Sequence, residues 1–364
     1  AGRGARARRP QATARAAHPS NTVTASAFQG TLSAREERQP RSGADAVTWL
    51  TIYLIALLAV PSRLVVGPLG SAGAPSMLIG LVSMALWLML ALMRRESVAR
   101  PNFYPLRWAL AALLIVSGIS YTLAMSRPIN GVSPADVSIL ALLSWTGTLL
   151  IAADAIGTRS RIDTFVWRIA IAGGLLALVG LAQFFTVTSY TDLITIPGLK
   201  EVSSSGLYFR NGLVRPNATA THPIEYGALM AMMLPLAVHV AVHHTARRLF
   251  IRCAPVAAIV AVIAISGSRS AYLCALAGIL VCVFAWTPRL RRWVFAISVV
   301  GIGLVIVLVP RMARIIIGLF DDPKNDPSIT SRTDSFDLAW LFIRDYPLFG
   351  RGFGTFLPKY RIFD

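Results

Sequence analysis

The sequence predicts an all-α protein, a polytopic bundle of transmembrane helices with outer-face loops. Three observations predict it. Apolar residues make up 55% of the chain and charged residues only 14%, against about a quarter charged in a soluble domain. The apolar residues gather into nine runs close to the roughly 20 residues that cross a bilayer. Arginine falls overwhelmingly into every second connection between those runs. A soluble chain of 364 residues would split into two or three domains, whereas here one continuous membrane domain follows a polar tail. The net charge of +18 would suggest nucleic acid in a soluble protein. In a membrane protein, loop arginines set topology and meet anionic headgroups, so membrane lipids are the expected partner and nucleic acid is not.

The elements follow in order. Residues 1–46 hold eight arginines and three acids among Ala, Ser, Thr, Pro and Gly. That composition cannot bury a core and predicts a disordered, basic, cytoplasmic tail. It is too arginine-rich for a secretory signal, and no short apolar core with a small-residue cleavage site follows. The transmembrane domain is expected over residues 47–310. Its spans are placed at 47–66, 75–93, 108–126, 137–156, 165–185, 222–244, 253–267, 271–286 and 293–310. The seventh and eighth are separated only by Gly267-Ser268-Arg269-Ser270. One helix through both would bury Arg269 in hydrocarbon at a cost of several kcal/mol, so a hairpin with Arg269 at the surface is expected. Cys253, Cys274 and Cys282 lie in or beside spans without metal-ligand spacing and read as small core residues.

Two connections are long, about 186–221 and 311–364. In the second, Ser331-Arg332-Thr333-Asp334 has the form of a capping box. Phe336, Ala339, Trp340 and Ile343 follow at helical spacing, and Pro347 stops the run. The pattern predicts an amphipathic helix at the outer interface. The chain begins without Met and stops inside this connection, so it reads as a fragment whose large outer loop is cut short.

Orientation comes from counting basic residues. With the tail inside, inner connections hold 13 arginines and the tail eight more, 21 in all. The outer connections before residue 311 hold Arg63, Arg127, Lys200, Arg210, Arg215 and Arg269, which is six. The positive-inside rule puts the amino terminus in the cytoplasm and both long connections outside. Long connections tend to carry function, so the chemistry is expected on the outer face.

Arg269 caps a very short hairpin, where a guanidinium suits a phosphate bidentately or simply snorkels to headgroups. Arg215 precedes the sixth span in Arg215-Pro216-Asn217-Ala218-Thr219-Ala220-Thr221-His222-Pro223. Hydroxyls, an imidazole and a helix N-terminus there favour an anion or serve only to start the helix. His222 and Glu225 share a helix face but have no third ligand nearby, which favours a structural role and no metal. Arg332 opens the amphipathic helix. Gly350-Arg351-Gly352-Phe353-Gly354 lacks the ending of a nucleotide loop and reads as a tight turn. His239, His243 and His244 lie at the inner end of span six, where interfacial polar residues are ordinary.

These motifs resemble the O-antigen ligase and O-antigen polymerase superfamily of bacterial envelope glycosyltransferases. The matching pieces are residues 215–223, Gly267-Ser268-Arg269-Ser270, and Ser331-Arg332 with Trp340 and Pro347-Leu348-Phe349-Gly350-Arg351-Gly352-Phe353-Gly354-Thr355-Phe356. The resemblance implies an inner-membrane, metal-independent glycosyltransferase without cofactors. It implies a polyprenyl-diphosphate-linked (undecaprenyl diphosphate) glycan donor and a lipid-linked sugar or glycan acceptor. On its terms Arg215, Arg269 and Arg332 bind the diphosphate, and the base that activates the acceptor, a histidine late in the outer loop, lies beyond Asp364. The rival reading is a membrane transporter of a small anion or solute, which internal repeats and midplane charges would favour. Neither is evident in the sequence.

Overall fold

The computed structural model describes residues 2, 45–93, 105–126, 134–202, 206–210, 212–308, 318, 327–348, 350 and 352–354, with the backbone alone at 297, 300–302, 304–306, 308 and 327–332. The chain divides into residues 1–45 and residues 46–364. The helices and strands described here belong to the second. The basic tail expected over 1–46 lies almost wholly outside the described residues, as do 311–317 and 355–364.

The architecture is a helix bundle. In chain order come α1 (Ala46–Leu58), β1 (Leu64–Val66), a 3-10 segment (Gly67–Gly73), α2 (Pro75–Met93), α3 (Pro105–Met125), α4 (Pro134–Ala155) and α5 (Arg159–Thr186). Strands β2 (Leu199–Glu201), β3 (Tyr208–Arg210) and β4 (Leu213–Arg215) follow, then α6 (Pro223–His243), α7 (Leu249–Ile265), α8 (Arg269–Ala285), α9 (Pro288–Leu308) and α10 (Pro327–Asp345). Among the described residues, α2 to α6 are five helices long and apolar enough to cross a membrane, and α1, α7 and α8 are shorter apolar helices. A polytopic helical bundle is therefore what the chain forms. Helices begin at proline five times in the span region, where the fixed φ is already helical and the missing N–H is not needed.

The core lies where α5, α6, α7 and α8 meet, with α1 against α5 and α2 against α4. Tyr226 of α6 is fully buried and donates its hydroxyl to Leu176 O of α5 at 3.0 Å. Outward faces stay apolar: Trp108, Ile115 and Val116 of α3 and Trp145 of α4 are exposed. Exposed apolar faces of this kind are what lipid, rather than water, would cover.

Contacts between connections sort into two sets. At one end Arg63 bonds Asp192 and Glu201, Thr219 bonds Leu58, and Phe353 N donates to Ser120 O at 3.1 Å. At the other, Asp154 accepts from Trp87 Nε1 at 2.7 Å and pairs with Arg107 at 2.9 Å, while Arg247 lies over the Trp167 ring. Each of these contacts joins loop residues or residues in the end portions of helices that the arginine count assigns to the same face.

Four expectations need correction. The first apolar run ends as helix at Leu58, not at residue 66. Pro61 stops helix propagation, and residues 64–66 pair antiparallel with 199–201 as a strand. Arg63 between them is 5% exposed and is held by Asp192 (2.6 Å), Glu201 (3.2 Å) and Thr191 O (2.7 Å). The long connection 186–221 is not plain loop, since it carries three short strands in two antiparallel pairs. The amphipathic helix starts at Pro327, so Ser331 lies within it and not at its N-cap position. A proline at the first helical position supplies the start that the capping-box pattern only mimicked. Of the cysteines, half-buried Cys282 packs against the core, whereas Cys274 is exposed and Cys253 is half-buried.

Candidate functional site

The site is built around the turn between α7 and α8. Ser266-Gly267-Ser268 makes the reversal. Gly267 has φ +58, a left-handed conformation that costs a side-chain-bearing residue about 1 kcal/mol or more. Ser266 donates from Oγ to Ile263 O at 2.7 Å and accepts from Ser268 N at 3.4 Å. Ser268 and Ser270 share a hydroxyl hydrogen bond of 2.9 Å. Arg269 is the first residue of α8 and is half-buried. The break expected between the seventh and eighth apolar runs is therefore present, at residues 266–268.

Arg215 reaches this turn from strand β4. Its Nε donates to Ser266 O at 3.2 Å. Among the described residues its two terminal amino groups make no hydrogen bond. Beside it, Arg210 of β3 donates to Gly267 O at 3.4 Å. In the ribbon Arg215 stands opposite Tyr208, and Arg210 is two residues on from Tyr208, so all three share one face. Burial and the neighbouring Arg210 pull the Arg215 guanidinium below the ordinary arginine range, with Tyr272 acting the other way. Arginine remains charged nonetheless. Cations are thus held closer than they would settle by themselves, and an anion between them would relieve the repulsion.

The rest of the 215–223 motif holds that ribbon in place. The backbone amides of Asn217 and Ala218 both donate to Gln183 Oε1 of α5, at 3.3 and 2.8 Å. Gln183 is fully buried. Ala218 has φ +45, so the loop is held in a left-handed turn without glycine. Asn217 Nδ2 donates to Ala220 O, Thr219 Oγ1 donates to Leu58 O at the end of α1, and Ser62 Oγ shares a hydrogen bond with Thr221 Oγ1 at 2.8 Å. His222 accepts from Ile224 N at 3.1 Å and so caps α6. That is a structural task, and Glu225 beside it is exposed.

Of the three arginines expected to converge, the structure brings Arg215 to the turn from which Arg269 starts. The side chain of Arg332 lies outside the described residues, and only its place in α10 is given. Just past α10, glycines 352 and 354 lie against α3 and α4: an added Cβ would meet Ala124 Cα at 2.7 Å and Ser138 Oγ at 2.8 Å. The tight turn expected there is present, with φ +67, +121 and +70 at Gly350, Gly352 and Gly354. Sequence reading missed Arg210 and Gln183. Arg210 was findable, because Asn211-Gly212 between two short apolar runs is a strong hairpin signal. Gln183 gives no signal beyond being an amide inside an apolar run.

Fold and site together define a multi-pass membrane protein with a guanidinium cluster at a loop face. Residues 254–364 match the family model described as O-antigen ligase. This match supports the O-antigen ligase and polymerase superfamily, and with it glycosyl transfer of that general type. It covers Arg269, Arg332 and the glycine turn, whereas Arg215 and Gln183 precede it. No curated protein and no solved structure was found to match the chain.

Proposed function

We propose that this protein transfers a glycan from a polyprenyl-diphosphate-linked donor to a lipid-linked sugar or glycan acceptor. The reaction would take place at the outer face of the bacterial cytoplasmic membrane, with the amino terminus inside. The observation that carries the reading is Arg215. Its Nε is anchored on Ser266 O and its terminal nitrogens are unengaged among the described residues, beside Arg210 and next to the start of the Arg269 helix.

In the transfer, the acceptor oxygen bonds to the sugar's anomeric carbon as the bond from that carbon to the diphosphate oxygen breaks. The electron pair leaves with the polyprenyl diphosphate, and the acceptor proton passes to a base. Charge therefore develops on the leaving diphosphate, where fixed guanidinium groups in a low-dielectric setting act most strongly. Arg215, Arg269 and Arg332 are assigned to the diphosphate. No residue of this chain is assigned as the base. The apolar faces of the neighbouring helices suit the polyprenyl tail.

Arg→Lys at 215, 269 and 332 keeps the charge but removes the bidentate fork. With purified lipid-linked donor and acceptor, each variant is expected to lower turnover at least tenfold while expression stays intact, since a charge-assisted hydrogen bond is worth about 1.5–3 kcal/mol. Near-normal turnover in all three would overturn the assignment.

A further inference from the structure

We propose that Asp163, His239 and His244 form a binding site for one divalent first-row transition-metal ion, of which zinc is the type. The site lies at the opposite end of the bundle from Arg215. It joins the first turns of α5 to the end of α6. The potential ligand atoms of the three residues all lie within 4.8 Å of one another. Two imidazoles and a carboxylate are a donor set suited to such ions. Ligands of a tetrahedral zinc stand about 3.4 Å apart for metal–ligand bonds of about 2.1 Å, so an ion would draw these side chains in by about 1 Å.

Two further observations favour an ion over ordinary surface chemistry. Arginines crowd this end, yet among the described residues no hydrogen bond or ion pair engages the Asp163 carboxylate. The nearby Arg247 is instead spread over the Trp167 ring, 3.9 Å from its centroid. The second observation is the helix end. Residues five apart on a continuing helix would point about 140° away from one another. Here α6 stops at His243, and His244 turns out of it with φ −84 and ψ 54. Its imidazole folds back to an edge contact with His239, their ring centroids 6.4 Å apart, and stacks on Trp167 at 6.0 Å. His243 plays another part. It stacks on His239 at 4.4 Å, and its Nδ1 lies 3.1 Å from His239 O. Its contacts help hold His239 in place and leave the ligand set to the other three. A bound ion would clamp α5 to α6 at this face.

The full chain, stripped with chelator and held in detergent, is titrated with Zn²⁺ by calorimetry and with Co²⁺ by visible absorption. One equivalent is expected, with a cobalt ligand-field band. Asp163→Asn, His239→Gln and His244→Gln should each weaken binding at least tenfold and remove the band, while His222→Gln at the other end leaves both unchanged. A His239→Cys variant keeps a ligand in place and should add a thiolate-to-cobalt charge-transfer band. The proposal is overturned if the wild-type chain binds no ion at micromolar concentration, if the three ligand variants bind as tightly as wild type, or if the cysteine variant shows no charge-transfer band. Transfer of glycan enters none of these readouts, so the result is independent of the arginine assignment.

Discussion

At the scale of single residues, the position of Arg215 depends on an amide contributed by another helix. Gln183 accepts two backbone hydrogen bonds from the loop that follows Arg215, and it does so fully buried. Replacing it with methionine keeps the volume and leaves two N–H groups facing an apolar wall. The expected cost is about 2 kcal/mol, read as a lowered midpoint in thermal unfolding followed by fluorescence in detergent. An unchanged midpoint would mean that the loop finds other acceptors. The places of Arg215 and Arg269 were legible in the sequence, one beside a proline-rich helix start and the other in a four-residue break between apolar runs. The Arg63 clamp was not legible. Its partners Asp192 and Glu201 lie 129 and 138 positions away, and an isolated arginine at a loop looks the same whether it is solvated or buried. The capping-box reading of Ser331 failed for a related reason, since the pattern is satisfied equally well by residues in mid-helix.

Elements were legible in proportion to their length. The nine helices α1 to α9 were found by apolar run and loop spacing, the first with its end misplaced, because apolar length is what crossing a bilayer demands. Strands of three residues carry too little pattern to be read. Leu64-Val65-Val66 is as apolar as a span, and it merged with the helix before it. The turn at 350–354 was legible as glycine spacing, though not its docking on α3 and α4. That docking gives a paired prediction. Gly352→Ala places a Cβ against the Ala124 backbone at a residue with φ +121. Gly118→Ala, on α3, meets no atom within 4 Å. The first should loosen the segment after α10 and make it markedly more sensitive to limited proteolysis. The second should leave cleavage unchanged and stabilise α3 by up to about 1 kcal/mol. Equal protease sensitivity in both variants would show that the docked turn does not hold the loop.

At the scale of the whole molecule, the named contacts among the described residues that join loops and helix ends respect the alternation of arginine-rich and arginine-poor loops, which is the pattern a polytopic topology requires. Labelling in a cysteine-free background tests which end faces outward. Leu193→Cys, at a position 75% exposed, is expected to react with an impermeant maleimide on intact cells, and Thr245→Cys only after permeabilisation. The reverse order would invert the topology and remove the donor site from the outer face. The family match over 254–364 covers the α7–α8 turn, and Arg215, which precedes that match, reaches the same turn. The most direct measurement is the affinity of the purified protein for a polyprenyl diphosphate in nanodiscs, compared among wild type, Arg215→Lys and Arg269→Lys. A guanidinium cradle predicts that each charge-keeping substitution weakens binding about tenfold or more. Affinities within twofold of wild type for both variants would contradict it.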